Sequence, residues 1–325
     1  MLLNSFSHSW RSFQRFYAGS EGIGIGTAYC GDASSDSGII YNPAAVSSLY
    51  STNKNFIFSY EIFTTFKVVD ILALKFDFNF DVFSFVSFIY PKERFGLALS
   101  IENLFYSPET DTGLYLRFLK LTFSYLLLEN LSFGFSVGPV IANELNGYTI
   151  GFGYQAGLLW KPLEKLQLGL SFLLPVELNW GTTRYGNKLY ECYPMEIKIG
   201  GSYYLGDSII YFSLGNIFLD QIRFKIDDTD YSPLWITNAP LYLLPAVGFR
   251  FLERFTGSHL SIGFLMDYNA TERNVNNQYY LTFGFRGYGK NFRYNFSLMD
   301  GFLINLIYNK NIPRENVNIS LSFFL

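Results

Sequence analysis

The chain has 325 residues, of which 20% are aromatic (35 Phe, 25 Tyr) and only 16% charged, with a net charge of −3. A globular domain averages about 25% charged residues, so a soluble surface is poorly provided for, and no Lys/Arg block marks a nucleic-acid partner. Mean hydropathy is +0.15, yet the chain holds no run of about 20 apolar residues for a membrane helix.

The best apolar stretch, around Leu241–Phe249, is broken by Pro245 and Gly248. Only helices and closed barrels satisfy every backbone group in lipid, so the composition points to a transmembrane antiparallel β-barrel. Cys30 and Cys192 are the two cysteines and give no disulfide framework. His8 and His259 are too few for a His-based metal cluster, so neither metal nor cofactor is expected. The opening MLLNSFSHSWRSFQRFYAG lacks a basic-then-apolar leader, which for an exported chain implies a trimmed precursor or a different start.

From residue 55 onward the apolar residues alternate with Ser, Gly, Asn and a few charges. Phe76, Phe78 and Phe80 alternate with Lys75, Asp77 and Asp81, and Phe133, Phe135 and Val137 with Gly134, Ser136 and Gly138. Period two is the signature of a strand with two unlike faces. A soluble sandwich would fill its polar face with Lys and Glu; this composition suits a barrel lumen instead. Fourteen strands are predicted: Asn55–Phe63, Leu74–Tyr90, Phe95–Phe105, Gly113–Leu128, Leu131–Ala142, Tyr148–Trp160, Lys165–Asn179, Met195–Leu205, Ser208–Phe218, Leu243–Phe251, Ser258–Tyr268, Gln278–Tyr288, Asn291–Met299 and Val317–Leu325. The even count suits a bacterial single-chain barrel. Turns after even-numbered strands are short (PKER, EN, KPLE, GD, LERFTG, GK) and connections after odd-numbered ones long. This is the division between periplasmic turns and external loops. Trp160, Trp180, Tyr90 and Tyr106 fall at strand ends, where aromatic girdles belong. The final NISLSFFL puts Ile319, Leu321, Phe323 and Leu325 on one face. It resembles the signal read by the barrel assembly machinery, with Leu325 in place of the usual Phe.

Ahead of the first strand stands GSEGIGIGTAYCGDASSDSGIIYNPAAVSSL. Gly24, Gly26 and Ala28, then Asp32, Ala33 and Ser34, then Asn42, Pro43 and Ala44 follow a GxGxA, Asp/Ala/Ser, Asn-Pro-Ala order. That order resembles the amino terminus of the FadL-like long-chain fatty acid transporters and their PorV-type secretion-associated relatives. Ala45 stands where that family has Gly, and the doubled Asp is loosened. The resemblance implies two parts, an amino-terminal hatch over residues 1–52 and a barrel over 53–325. It implies a monomeric bacterial outer-membrane protein for passive uptake of hydrophobic small molecules such as fatty acids, in contact with outer-membrane lipid. A non-transporting scaffold of the PorV type is the alternative. Pro43 fixes a bend and Asn42 can serve backbone groups there; a plain helix start with Pro in its first turn is the compatible reading.

Gly22, Gly24 and Gly26 do not form GxGxxG and follow no strand, so a dinucleotide site is not expected. His259-Leu260-Ser261 has the His-x-Ser spacing of the outer-membrane phospholipase family, but Ile262-Gly263 replaces its Asn-Gly. The register also points His259 and Ser261 into the lumen, so no enzyme is expected. The charges expected to face the lumen are Lys75, Asp77, Asp81, Glu102, Glu196, Lys198, Arg250, Arg286 and Arg293. Cross-strand pairing that hydrates the interior is their expected role.

Overall fold

The computed structural model describes residues 12–13, 18–32, 34–49, 56–70, 75–107, 114–144, 147–182, 188–218, 221, 224–227, 229–231, 242–252, 257–271, 275–301 and 315–325. Fourteen strands form the barrel. They are β1 (Ile57–Asp70), β2 (Lys75–Pro91), β3 (Phe95–Ser107), β4 (Leu114–Leu128), β5 (Leu131–Glu144), β6 (Gly147–Leu163) and β7 (Leu166–Leu173), followed by β8 (Glu196–Leu205), β9 (Ser208–Ile217), β10 (Tyr242–Leu252), β11 (His259–Thr271), β12 (Val275–Tyr288), β13 (Phe292–Asp300) and β14 (Glu315–Phe324). Each pairs antiparallel with the next, and β14 pairs back onto β1 from Phe324↔Ile57 to Glu315↔Phe66. No edge remains.

Burial alternates along the strands as the sequence pattern requires. On β5, Phe133 and Phe135 are exposed while Ser132, Gly134 and Ser136 are buried. The same outward apolar surface continues through Leu99, Leu121, Phe152, Ile199, Phe249 and Ile319. A band of bare Phe, Leu and Ile around a closed ladder is a lipid-facing surface. Trp160, opposite Leu131 at the turn-side rim, is 47% exposed and fits a girdle there.

Three expectations change. Several strands are longer than predicted: β1 reaches Asp70 and β12 begins at Val275. Ladder hydrogen bonds continue past the ~25 Å apolar band, where alternation no longer marks them. The connections 71–74, 145–146 and 272–274 are therefore short, and only 174–195, 218–241 and 301–314 are long. Thirdly, the predicted strand Lys165–Asn179 is two strands. β7 ends at Leu173, and Val176–Thr182 leaves to join Lys188–Tyr193, Phe224–Ile226 and Thr229–Tyr231 in a separate four-stranded sheet. Pro175 sits at the break and cannot donate to the ladder. Trp180 belongs to this second sheet, its Nε1 donating to Glu191 at 2.7 Å, and not to a girdle.

Several bulges interrupt the wall, two of them beside the middle of β2 and β3. β3 carries one extra residue at Leu104 against β4, and β1–β2 shifts register between Glu61 and Phe63. β2 pairs with β3 only from Phe85↔Glu102 to Pro91↔Gly96, while Lys75–Asp81 pair with β1. The described β2–β3 ladder thus stops half-way up.

Phe135 and Leu121 lie nearer the middle of the band than Phe133, which is one pair from the Leu131 rim. Phe135→Arg should cost about 2–4 kcal/mol of insertion, and Phe133→Arg roughly 1 or less. Folded yield and heat-modifiability on gels test this. Equal yields for both variants and wild type would sink the assigned facing.

Candidate functional site: the segment inside the barrel

Residues 18–32 and 34–49 run through the lumen and are buried, save Ser34, Ile40 and Ser48. Upstream, Ser12–Phe13 pair with Thr271 and Ala270 at the loop-side end of β11. Downstream, Leu49 packs with Ile57 and Phe324 at the turn side. The chain therefore descends the lumen from the loop side to the turn side.

The segment holds three short helices, α1 (Ser20–Ile23), α2 (Gly38–Tyr41) and α3 (Ala45–Ser48). A four-residue helix leaves nearly all its terminal N–H and C=O groups without internal partners. Inward-facing strand side chains supply them. Glu61 accepts from the backbone N–H of Gly19 at 2.9 Å and of Ser20 at 2.5 Å. Lys120 Nζ donates to the Ile39 carbonyl and Gln155 Nε2 to that of Ile40, both at 3.3 Å. Ser124 Oγ donates to the Ala44 carbonyl at 3.1 Å and accepts from the Ser47 N–H at 3.2 Å. The barrel completes helices that could not stand alone.

The Asn-Pro-Ala motif is the tightest joint. Asn42 Nδ2 donates to the Cys30 carbonyl at 3.0 Å and to the Leu158 carbonyl of β6 at 2.8 Å, and its Oδ1 accepts from the Ala44 N–H at 3.0 Å. One side chain ties two turns of the segment to the wall and makes the Asx-type turn that leads into α3. The wall has glycine at these contacts. A Cβ on Gly157 would strike the Asn42 side chain, one on Gly134 the Pro43–Ala44 backbone, and one on Gly169 the Cys30 carbonyl. Gly248, Gly263 and Gly284 meet Ile25, Gly26 and Gly24 in the same way. Gly26 and Thr27 turn with φ of 68° and 63°, a region that suits glycine. Gly24, Gly26, Ala28, Asn42, Pro43 and Ala44 are thus all brought into the lumen. Serine at Gly134, which the alternation alone would tolerate, would not fit.

Of the charges expected in the lumen, Glu102, Glu196, Lys198, Arg250, Arg286 and Arg293 are buried there. The side chains of Lys75, Asp77 and Asp81 lie outside the described residues; on the backbone, Asp77 faces Lys67 and Lys75 faces Asp70. Glu102 pairs with Lys120 of the neighbouring strand at 2.7 Å, while Lys198 pairs with Glu196 of its own strand at 3.4 Å. The arginines do not pair across strands. Arg250 binds Glu21 at 2.9 Å and approaches Asp32 at 3.8 Å, Arg286 also pairs with Glu21, and Arg293 pairs with Asp36. Tyr211 adds a hydrogen bond to Asp32 at 2.8 Å. The arginines' partners are carboxylates of the segment, a correction to cross-strand pairing. Sequence reasoning passed over Glu21, Asp36, Glu61 and Lys120. Glu61 and Lys120 were findable, since each stands in period two with an inward Ser or Thr.

On the loop side of the segment lies a narrow cavity of about 50 Å³. Ala18, Ile40, Tyr41, Leu173 and Tyr193 form its apolar part, and Glu102, Asn103, Gln155, Glu196 and Lys198 its polar part. Leu104, the bulged residue of β3, also lines it, so the cavity reaches the place where the β2–β3 ladder ends. His259 and Ser261 share the inward face of β11 as expected; His259 packs edge-on to Tyr288 and Ser261 lies against Gly24 and Gly284.

The sequence matches no family model and no curated protein. The backbone, by contrast, is similar to a Pseudomonas aeruginosa FadL homologue, with a TM-score of 0.70 at 12% identity over 96% of this chain and 98% of that one. The fold is that of the FadL-like channels. The toluene transporter TbuX of Ralstonia pickettii has a TM-score of 0.67 at 14% identity over 95% of this chain and 98% of that one. For the toluene transporter TodX of Pseudomonas putida the score is 0.65 at 12% identity, over 96% and 98% of the two chains. The FadL-like fold therefore extends over nearly the whole chain, which is built on very different residues.

Burial pushes the Cys30 thiol up to about 12, and Cys30 is fully buried against the wall. In a Cys192→Ser background, Cys30 should resist maleimide from pH 7 to 9, because both its access and its thiolate are suppressed. Gly157→Val should displace Asn42 and raise Cys30 labelling by tenfold or more, on the order of 1.4 kcal/mol of opening, in a barrel that still folds. A folded Gly157→Val protein with an unreactive Cys30 would refute the contact.

Proposed function

We propose that this chain is a passive bacterial outer-membrane channel for hydrophobic small molecules such as long-chain fatty acids, with residues 18–49 as its gate. The observation that carries the reading is a loop-side cavity, part apolar and part polar, ending at the β3 bulge. A ligand held there has the segment beneath it and the end of the β2–β3 ladder beside it. A hydrophobic molecule gains by leaving sideways into lipid, since burial of apolar surface is favourable and the turn-side exit leads to water. The solved structures of this fold include transporters titled for toluene, which agrees with an apolar cargo.

The gate reading draws on the way the segment is held. Its carboxylates meet lumen arginines, and its backbone groups meet strand side chains. Both kinds of partner can be exchanged for water when the segment moves. Asn42 and Pro43 are its hinge point, because they join the α2–α3 turn to β6.

A scaffold role is the second reading. The closeness of the segment's fit to the lumen supports it. Uptake separates the two. Purified protein in liposomes should take up labelled fatty acid or toluene saturably. Deleting Leu104, which evens the β3–β4 register, should slow this uptake by about tenfold, and Asn42→Ala with Pro43→Ala should change it without loss of folded barrel, because barrel stability resides in the closed ladder. Wild-type uptake no faster than in empty liposomes, for every hydrophobic probe, would leave the scaffold in its place.

A further inference from the structure

A second cavity, of about 280 Å³, lies on the turn side of the segment. Leu49, Ile57 and Phe324 give it an apolar wall, and Asp36, Lys290 and Arg293 line the rest. We propose that it is a binding site for an anionic amphiphile, an aliphatic chain carrying a carboxylate or phosphate head.

The case rests on the arginine. Arg293 is 4% exposed, its guanidinium sits 5.5 Å from the Phe324 ring centroid, and it pairs with Asp36. Its Nε is buried and has no hydrogen-bond partner. A buried donor left unfilled is costly, and a guanidinium can engage two acceptors through its fork. Asp36 needs no more donors, because the hydroxyls of Ser59 and Ser322 also donate to it. Donor capacity therefore remains on the cation alone. Lys290, exposed on the β12–β13 turn, adds a second positive charge at the mouth. Two cations against one carboxylate leave a single positive charge beside an apolar wall. That combination fits one anionic head with a chain lying over Leu49 and Ile57. A neutral hydrocarbon would use only half of the lining, and an inorganic anion the other half. The inference stands whether or not the barrel transports.

The test uses the whole protein in detergent with two photo-crosslinkers, diazirine-bearing stearate and the corresponding stearyl alcohol. Labelled peptides are mapped by mass spectrometry. Stearate should label peptides spanning 34–49 or 286–293 at least about fivefold more than the alcohol, as one charge-assisted contact allows. Lys290→Glu should lower that labelling about fivefold and Lys290→Arg should keep it. Labelling of the loop-side peptide 193–198 should stay unchanged in both variants. Competition by phosphatidylglycerol but not phosphatidylcholine would identify a membrane lipid as the source. Competition by free stearate alone would identify a soluble acid. Equal labelling by the alcohol, indifference to Lys290→Glu, or no label at these peptides overturns the site.

Discussion

The rest of the structure depends on the closing seam between β14 and β1. Phe56 and Leu325 exchange backbone hydrogen bonds at 3.1 and 2.9 Å, and ten residue pairs follow, from Phe324↔Ile57 to Glu315↔Phe66. In lipid a free strand edge would leave several backbone groups unsatisfied at several kcal/mol each. Closure removes the edge, fixes which face of every strand looks outward, and encloses a space where polar groups are permitted. The lumen chemistry is thus a consequence of the ladder. The outward face is left with one requirement, to be apolar, and a Phe-rich composition meets it.

Within that enclosure the segment and the wall are made for each other at the backbone level. Gly134 pairs with Gly157, and Gly169 with Gly200, so paired strands lack side chains where Asn42, Pro43 and Cys30 lie. Glycine is disfavoured in a strand because it packs poorly and loses entropy. Its presence there makes sense only if another backbone approaches. The bulges at Val82–Ser84 of β2 and Leu104 of β3 have a similar logic. Each disrupts the ladder locally and bends its strand, and the β2–β3 ladder gives out above them. A barrel selected for stability alone would contain neither the glycines nor the bulges.

The sequence made the barrel legible because strand period and membrane chemistry act together. Ser132, Gly134 and Ser136 against Phe133 and Phe135 admit one facing, and all five lie as read. Strand ends beyond the band were not legible, since no lipid enforces alternation there; β1 past Phe63 is the example. Pro175 was a visible signal for the break after β7. The amino-terminal motif was legible as a motif. Its partners in the wall were not, because they lie 80 residues or more away, as Ser124 does for Ala44 and Leu158 for Asn42. Glycines of the wall read as lumen filler until the segment that touches them was placed. The pairing of the arginines was hidden for the same reason: Glu21 and Arg250 meet through topology, and their own neighbours in sequence carry no sign of it.

The choice of ion pairs to hold the segment has a physical consequence. Buried pairs add little net stability, because desolvation offsets their attraction, but removing one partner is costly, about 3–5 kcal/mol. They therefore specify one seated position without making it deep. Glu21 serves two arginines at once, so a shift of α1 would break two contacts together, and intermediate positions are penalised. Apolar packing would act differently, falling off gradually as the segment slides, and would leave bare hydrocarbon in a wet lumen. The arginines and carboxylates, once parted, are groups that water solvates well. On the proposed gating, a segment held by charge in a polar lumen would have two defined states, seated and released. The closed ladder around it would need no change between them.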